Sequence, residues 1–478
     1  MRLWFPGVLA VLLVANACDE PTNPRRSIDP PDPTPVRSVS ALPQLSLGAL
    51  VAFATANADL VRVRFKSLDG LDSGVTPWQS AGVTSILVLG LKSSMTYSIQ
   101  IESSRTGETA EGPPTEFTTS ALPPELADVR IQLDGVPSGG YDLANIGAPD
   151  GRGFVVAFDS AGTLRWYRDY GDNIVFCARQ QQDGHITAFV GPSNGFEALP
   201  GIFVEVTAAG DSIRTIAATG SPYTDPHELV TTVDRFGGRV ADYLFGYALT
   251  EMDRSPQGFN VIENVAYHQV LRISEGGTVD TLINAIDHWT LADAIEPPPI
   301  PDLDHPNSLD FDLDGGIVVS YRSLSAIVKV NQATRHIEWQ LGGKRNEFTF
   351  VNDPLGGFDG QHTVRVLPNG HLLVFDNGWN HSPPMSRAVE YAVDTVAMTA
   401  SMVWQYEASP PVFNDFTVSA QRLANGNTVV AFTRHGIVDE VRRDGTRLSR
   451  GVIELSPGVS AMPYRVIRIN NLYGFANP

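Results

Sequence analysis

Three of the ten histidines in this chain stand in similar company. They occur in Asp225-Pro-His227-Glu228, in Asp304-His305-Pro-Asn307-Ser308 and in Gly360-Gln361-His362. Each comes just before a run that reads as a β-strand (ELVTTV, SLDFDL and TVRVL), and each sits beside an acid, an amide or an asparagine. Imidazole changes charge near neutral pH, so histidines in such company can attack as neutral nucleophiles or carry protons. A lone histidine before a strand is ordinarily structural. Three at matching positions are harder to explain by packing. Arg322 closes the hairpin after His305 and faces either the same rim or the opposite one. His185 and His371 follow Gly in D-G-H and N-G-H and read as exposed turn residues. His336 and His435 have no polar company, while His268, His288 and His381 are left unassigned.

The elements that must position these side chains are all short strands. From Glu125 to about Leu455 two kinds of hairpin alternate. One kind is an apolar strand, a polar or Gly-containing turn and a second strand, as at 154–169, 203–216, 269–283, 326–341 and 388–406. The other, at 180–190, 309–322, 364–378 and 420–434, is turned by Asp-Gly or Asn-Gly, the strongest short-range hairpin signal. Together they make four-stranded sheets at a spacing of roughly 50 to 60 residues, which is the arithmetic of a β-propeller with about six blades. Blades bury both sheet faces, which accounts for strands that read as continuous apolar runs. In such a fold the inner strands begin at one end of a central channel, so matching positions before them converge there.

Ahead of this region, residues 36–122 give strand after strand: LVRVRF, SILVLGL, YSIQIES and TEFTTS. That density suggests an immunoglobulin-like sandwich. The stretch from Leu89 to Tyr97 resembles the corner of fibronectin type III domains, where the Tyr hydroxyl bonds back to the chain. With no titratable cluster, this domain reads as a spacer or docking module. The expected class is therefore all-β: a fibronectin type III-like sandwich (36–122) followed by a propeller (125–478).

The amino terminus reads as an export signal (1–18): Arg2, the apolar run Leu3 to Val14, then Ala15-Asn16-Ala17 and Cys18. The small-small-Cys ending resembles a bacterial lipobox, which would make Cys18 a lipidated first residue; ordinary cleavage at the same bond would leave a soluble protein. Residues 19–35 are rich in Pro and polar groups and read as an extended tether. The expected location is outside the cytoplasm, in the periplasm or at the cell surface, held to a membrane only through Cys18. Cys177 is then left without a partner and reads as a buried, inert thiol.

Composition excludes several classes. The 478 residues are 42% hydrophobic and carry a net charge of −19, without a Lys/Arg cluster, which argues against a nucleic-acid partner. Two cysteines cannot make a disulfide scaffold. Asp310-Phe-Asp312-Leu-Asp314-Gly315 begins like a calcium loop, but Tyr321 replaces the bidentate acid, so it reads as a strand entering a turn. Gly191-Pro-Ser193-Asn-Gly195 lacks the helix a nucleophile elbow needs, and His227-Glu228 lacks the second histidine of a zinc helix. A quinone-dependent or sugar-cleaving propeller finds no cofactor or paired-acid motif.

The run from His305 to Arg387 resembles the bacterial aryl-sulfate sulfotransferases, propeller enzymes that do not use a nucleotide sulfate donor. The resembling motifs are D-H-P-N-S-L (304–309), V-V-S-Y-R (318–322), I-E-W-Q-L-G-G (337–343), G-Q-H (360–362), F-D-N-G (375–378) and S-R-A-V-E-Y (386–391). Weaker similarity covers nearly the whole propeller. The resemblance implies that His362 becomes transiently sulfated, that His227, His305 and Arg322 surround the sulfuryl group, and that Asn307 is a supporting substrate contact. It implies small-molecule partners, an aryl sulfate donor and a phenol acceptor, with no cofactor and no metal. His305 or His227 would move the phenolic proton. The acceptor pocket is expected from loops such as 284–304 and 344–361. The sequence departs from the family at Glu228, which follows His227, and in lacking the cysteine pair of some members. The alternative from another class is a non-catalytic exported propeller that binds a ligand or protein partner.

Overall fold

The computed structural model describes residues 30–54, 57–192, 200–295 and 301–474. The signal region with Cys18, most of the tether and Ser193 of the G-x-S-x-G stretch lie outside the described residues. Among the described residues every regular element is a β-strand, apart from five three-residue 3-10 turns.

Two sheets form first. One pairs Val36–Leu42, Leu45–Phe53 and Ser85–Leu89; the other is built around Leu60–Ser67 and Thr96–Arg105. Alternation sends Ala49, Val51, Ile86 and Val88 from one sheet against Val61, Val63, Ile99 and Ile101 from the other, giving a small sealed core. Tyr97 is fully buried, and its hydroxyl accepts the Lys92 N–H (2.8 Å) while donating to Asp72 (2.5 Å). Asp72 also takes a bidentate contact from Arg165 of the following region, both bonds 2.9 Å. Burial and this buried acid raise the Tyr97 hydroxyl well above its ordinary value. Leu45, Leu47 and Leu89 join the apolar core of the next sheet, so the junction is packed as well as ion-paired. Removing one partner of a buried pair leaves the other unpaired. Arg165→Ala is therefore expected to lower stability by about 3 kcal/mol in urea denaturation; a loss below about 1 kcal/mol would make the pair ornamental.

Six further sheets follow in chain order, antiparallel except where Thr349–Val351 pairs in parallel with Thr399–Glu407. Their inner strands are Asn173–Gln180, Tyr223–Val233, Pro306–Phe311, His362–Val366, Ser419–Arg422 and Val466–Ile469. Each inner strand touches the next, and the last returns to the first, so they enclose a central channel. The circuit is closed by exchange: Val466–Ile469 completes the sheet of Tyr141–Gly147, while Arg130–Gly135 joins the last sheet beside Arg447–Ser456. The result is a β-propeller-like, all-β architecture. Four sheets have four strands; the other two carry extra strands.

The hairpins fall where the turn residues place them. Gly370 and Gly426 take φ +81° and +88°, the left-handed conformation that their Asn-Gly turns require. Ile317–Tyr321, Leu372–Asp376 and Thr428–Phe432 are buried at every residue, because each sheet packs on both faces. The stretch Asp310–Gly315 is a strand and turn, and Lys329 Nζ sits 2.7 Å from Asp312 and 2.5 Å from Asp314, holding the place a cation would take. Two expectations are corrected. His185 and His371 are not simple exposed turn residues: each directs Nδ1 to a buried glutamate, Glu205 or Glu390, at 2.8 Å. The turn backbone and the neighbouring strand bring each pair together.

Candidate active site

His227, His305 and His362 converge at one end of the channel. The ring centroids of His227 and His305 are 4.7 Å apart, and those of His305 and His362 are 6.4 Å apart. Their placement on the strands is less uniform than the sequence implied. His362 opens its strand, His305 precedes Pro306, and His227 lies inside Tyr223–Val233 where pairing is interrupted between Thr224 and Leu229. That bulge re-aims the side chain into the channel. His305 holds φ +49°, a conformation rare outside glycine, and its carbonyl accepts the Arg322 N–H at 2.9 Å.

All three rings are tied down through Nδ1. His227 Nδ1 meets Asp225 at 2.9 Å, His305 Nδ1 meets Asp302 at 2.7 Å, and His362 Nδ1 meets Asn377 Oδ1 at 2.8 Å. The last contact settles a tautomer. Asn377 uses its amide N–H on the Asn414 carbonyl (2.7 Å), so its Oδ1 is an acceptor and His362 Nδ1 carries the proton. The lone pair of a neutral His362 is therefore on Nε2. Burial, the positive charge of Arg322 and the neighbouring His305 hold the His362 pKa well below 6.5. Burial likewise lowers His305, against the opposing pull of Asp302.

Arg322 is on the same rim as the histidines. Its guanidinium stacks 5.2 Å over the Trp379 ring, and its charge depresses both His305 and His362. Asn307 is fully buried, with its amide donating to the Gln361 carbonyl at 2.8 Å and its own carbonyl accepting from Arg465 at 3.0 Å. It fixes the backbone that carries His362. Gln361 in turn donates to Ser320 Oγ and to the carbonyls of Tyr321 and Ala326.

Sequence reasoning missed the layer behind the rings. His268, from the strand Ile262–Ser274, contacts Asp304 at 2.9 Å, Asp225 at 3.4 Å and Asp302 at 3.7 Å. It touches the very carboxylates that hold His227 and His305. Although burial opposes it, these acids raise the His268 pKa well above 6.5, so it is an imidazolium near neutral pH. His268→Gln is expected to lower stability by about 3 kcal/mol at pH 6.5. A pKa raised in the folded state gives stability that is complete below the unfolded value and lost as pH rises through the folded one. The gap between wild type and variant should therefore narrow in alkaline solution, as urea titrations at pH 6.5 and about 9 would show. A gap that widened would mean His268 is neutral. Asn377 stood in the F-D-N-G motif, yet nothing in sequence paired it with His362; His268 had no local signal at all.

His288, Trp289 and Arg345, from the loops expected to form an acceptor pocket, line a hollow of about 300 Å³ with Gln340, but none of His227, His305, Arg322 or His362 borders it. Cys177 is buried as expected, with its thiol pushed up to about 11 by burial.

A β-propeller-like scaffold that gathers histidines and an arginine at one mouth of its channel defines a class of site suited to handling a small anionic group. Residues 301–457 match the family model for arylsulfotransferases (ASST). The matched stretch is about a third of the chain and contains His305, Asn307, Arg322 and His362; His227 lies before it. No curated protein matches the chain. Among solved structures, a Bacteroides caccae protein of unknown function is 12% identical, with 70% of this chain and 100% of that chain covered and a TM-score of 0.41. A streptogramin B lyase is 11% identical (67% and 87% covered, TM-score 0.36). A periplasmic gluconolactonase of Pseudomonas aeruginosa is 12% identical (86% and 99% covered, TM-score 0.35).

Proposed function

We propose that this protein is an aryl-sulfate sulfotransferase that moves a sulfuryl group from an aryl sulfate to a phenol through a sulfated His362. The observation that carries the reading is the Nδ1–H tautomer of His362, imposed by Asn377, in a ring kept neutral beside Arg322. Nε2 attacks sulfur, the S–O bond to the aryl group breaks, and the departing phenolate takes a proton from His305 or His227. The incoming phenol returns that proton to the same imidazole, attacks the sulfur on His362 and releases Nε2. Splitting the transfer into two displacements avoids a direct encounter of donor and acceptor. Arg322 supplies fixed positive charge for the sulfuryl oxygens throughout. Asp302 and Asp225 orient their histidines, and Asn307 positions His362 through Gln361.

The propeller is assigned six blades, preceded by a fibronectin type III-like domain that acts as a stalk. Export through residues 1–18 and anchoring by lipid on Cys18 complete this reading. A ligand-binding propeller without turnover has no need of an imidazole held in its nucleophilic tautomer.

The first test is release of nitrophenolate from 4-nitrophenyl sulfate with and without phenol. Phenol-dependent release supports the reading; silence from folded protein across several donors and acceptors sinks it. The pH profile is a second expectation. A lowered pKa keeps His362 neutral in mildly acidic solution, so kcat/KM should hold level down past pH 6.5 and fall only below it. An acid limb above pH 7 would contradict the assignment.

A further inference from the structure

Neighbouring inner strands run side by side in the same direction. Asn307 bonds to Gln361 near their start, Asp310 to Val366 further along, and Ser419 and Gln421 bond in step to Val466 and Arg468. Residues late in these strands therefore lie toward the mouth opposite the histidines. A cavity of about 320 Å³ runs along four of the six inner strands, from Thr363, Ser419 and Arg465 at their starts to Arg179, Arg365 and Arg468 further along, and none of His227, His305, Arg322 or His362 lines it. Four arginines line it, Arg179, Arg365, Arg465 and Arg468, and none of its lining residues is acidic. In a protein of net charge −19 this is a marked inversion.

Summed around the cavity, the four arginines are balanced by four carboxylates, but the charges are unevenly placed. Arg179, Arg365 and Arg465 all converge on one carboxylate, Glu228, at 3.0, 2.9 and 2.9 Å. Arg468 is separately matched by Asp142 and Glu440. Asp310, which acts on Arg365 from nearby, offsets one further charge, so the trio keeps a positive surplus. Burial and the two neighbouring guanidiniums lower the pKa of Arg365, against the usual direction for an ion-paired arginine. Arg465 is 1% exposed, and its Nε has no hydrogen-bond partner among the described residues. A locally cationic trio with an orphaned buried donor beside a cavity is a place where an anion supplies the missing acceptor. Guanidinium forks match tetrahedral oxyanions in shape as well as charge.

We propose that this cavity is a second anion site, distinct from the histidine mouth, that binds a tetrahedral oxyanion of the sulfate or phosphate type. Its size leaves room for a small organic stem on the anion. The site does not depend on the sulfotransferase reading, because it requires no turnover.

Calorimetric titration of the purified protein with sodium sulfate, inorganic phosphate and phenyl phosphate, each at constant ionic strength against chloride, tests it. Arg322→Gln serves as background, since it weakens any sulfate binding at the histidines. The expected result is one oxyanion per chain, bound more tightly than chloride and retained in Arg322→Gln. Adding Arg365→Gln or Arg179→Gln should weaken it about tenfold or more, the loss of one charge-assisted bond. Tighter binding of phenyl phosphate than of inorganic phosphate would assign an ester as the occupant; the reverse would assign the free ion. Arg179→Gln gives up a single hydrogen bond to Glu228, so it keeps the test open should Arg365→Gln not fold. Crystals soaked in selenate should show the ion against Arg365 and Arg465. Sulfate binding no tighter than chloride, lost entirely in Arg322→Gln, or unchanged by both lower substitutions would overturn the proposal.

Discussion

Replacing His362 by alanine is expected to reduce kcat/KM for sulfuryl transfer by about 10⁴-fold or more. The size follows from the role: without Nε2 no covalent intermediate forms, and the remaining groups can only orient donor and acceptor. The loss should fall on both half-reactions. His362 is 2% exposed and ends in an amide relay through Asn377 and Asn414, so stability is worth measuring in the same preparation. His362→Asn controls for the cavity while leaving no nucleophilic ring. Activity that survived either substitution within about tenfold would mean that another group attacks sulfur.

Arg322→Gln should cost about 10²–10³-fold in kcat, the range seen when one fixed donor to a developing anion is removed. It carries a second, more diagnostic signature. Arg322 is among the causes that hold His362 and His305 below 6.5, so its loss lets both pKa values rise. The acid limb of the pH profile should then move upward, toward neutrality. Loss of stacking against Trp379 alone would lower activity without moving that limb. A profile that stayed in place would assign Arg322 to packing and remove it from the field around the sulfuryl group.

Much of the scaffold was legible because its signals are local. Asn-Gly turns at 369–370 and 425–426 fix hairpins regardless of what surrounds them, and buried runs such as Ile317–Tyr321 announce sheets packed on both faces. The convergence of His227, His305 and His362 was also readable, because matching positions before inner strands must meet around a channel. What escaped was whatever depends on distant chain segments. Asp225 and Asp304 were visible beside their histidines, but not that His268, on the third strand of the sheet that carries His227, would bind both. The tautomer of His362 depends on Asn414, in a loop between sheets, through an amide that could have turned either way. Glu228 read as a departure from the family motif; in the fold it is the common partner of three arginines. His185 and His371 misled because a turn position says nothing of the buried glutamate on the next strand.

The account stands or falls on the covalent intermediate. Purified protein would be mixed with excess 4-nitrophenyl sulfate in the absence of phenol, quenched at short times in alkali to preserve an N–S bond, digested and examined by mass spectrometry. The prediction is a burst of one nitrophenolate per active site and a peptide bearing one added sulfuryl group on His362, which disappears when phenol is added before quenching. A burst with the sulfuryl group on another residue, or phenol-dependent turnover with no modified peptide at any time, would contradict it.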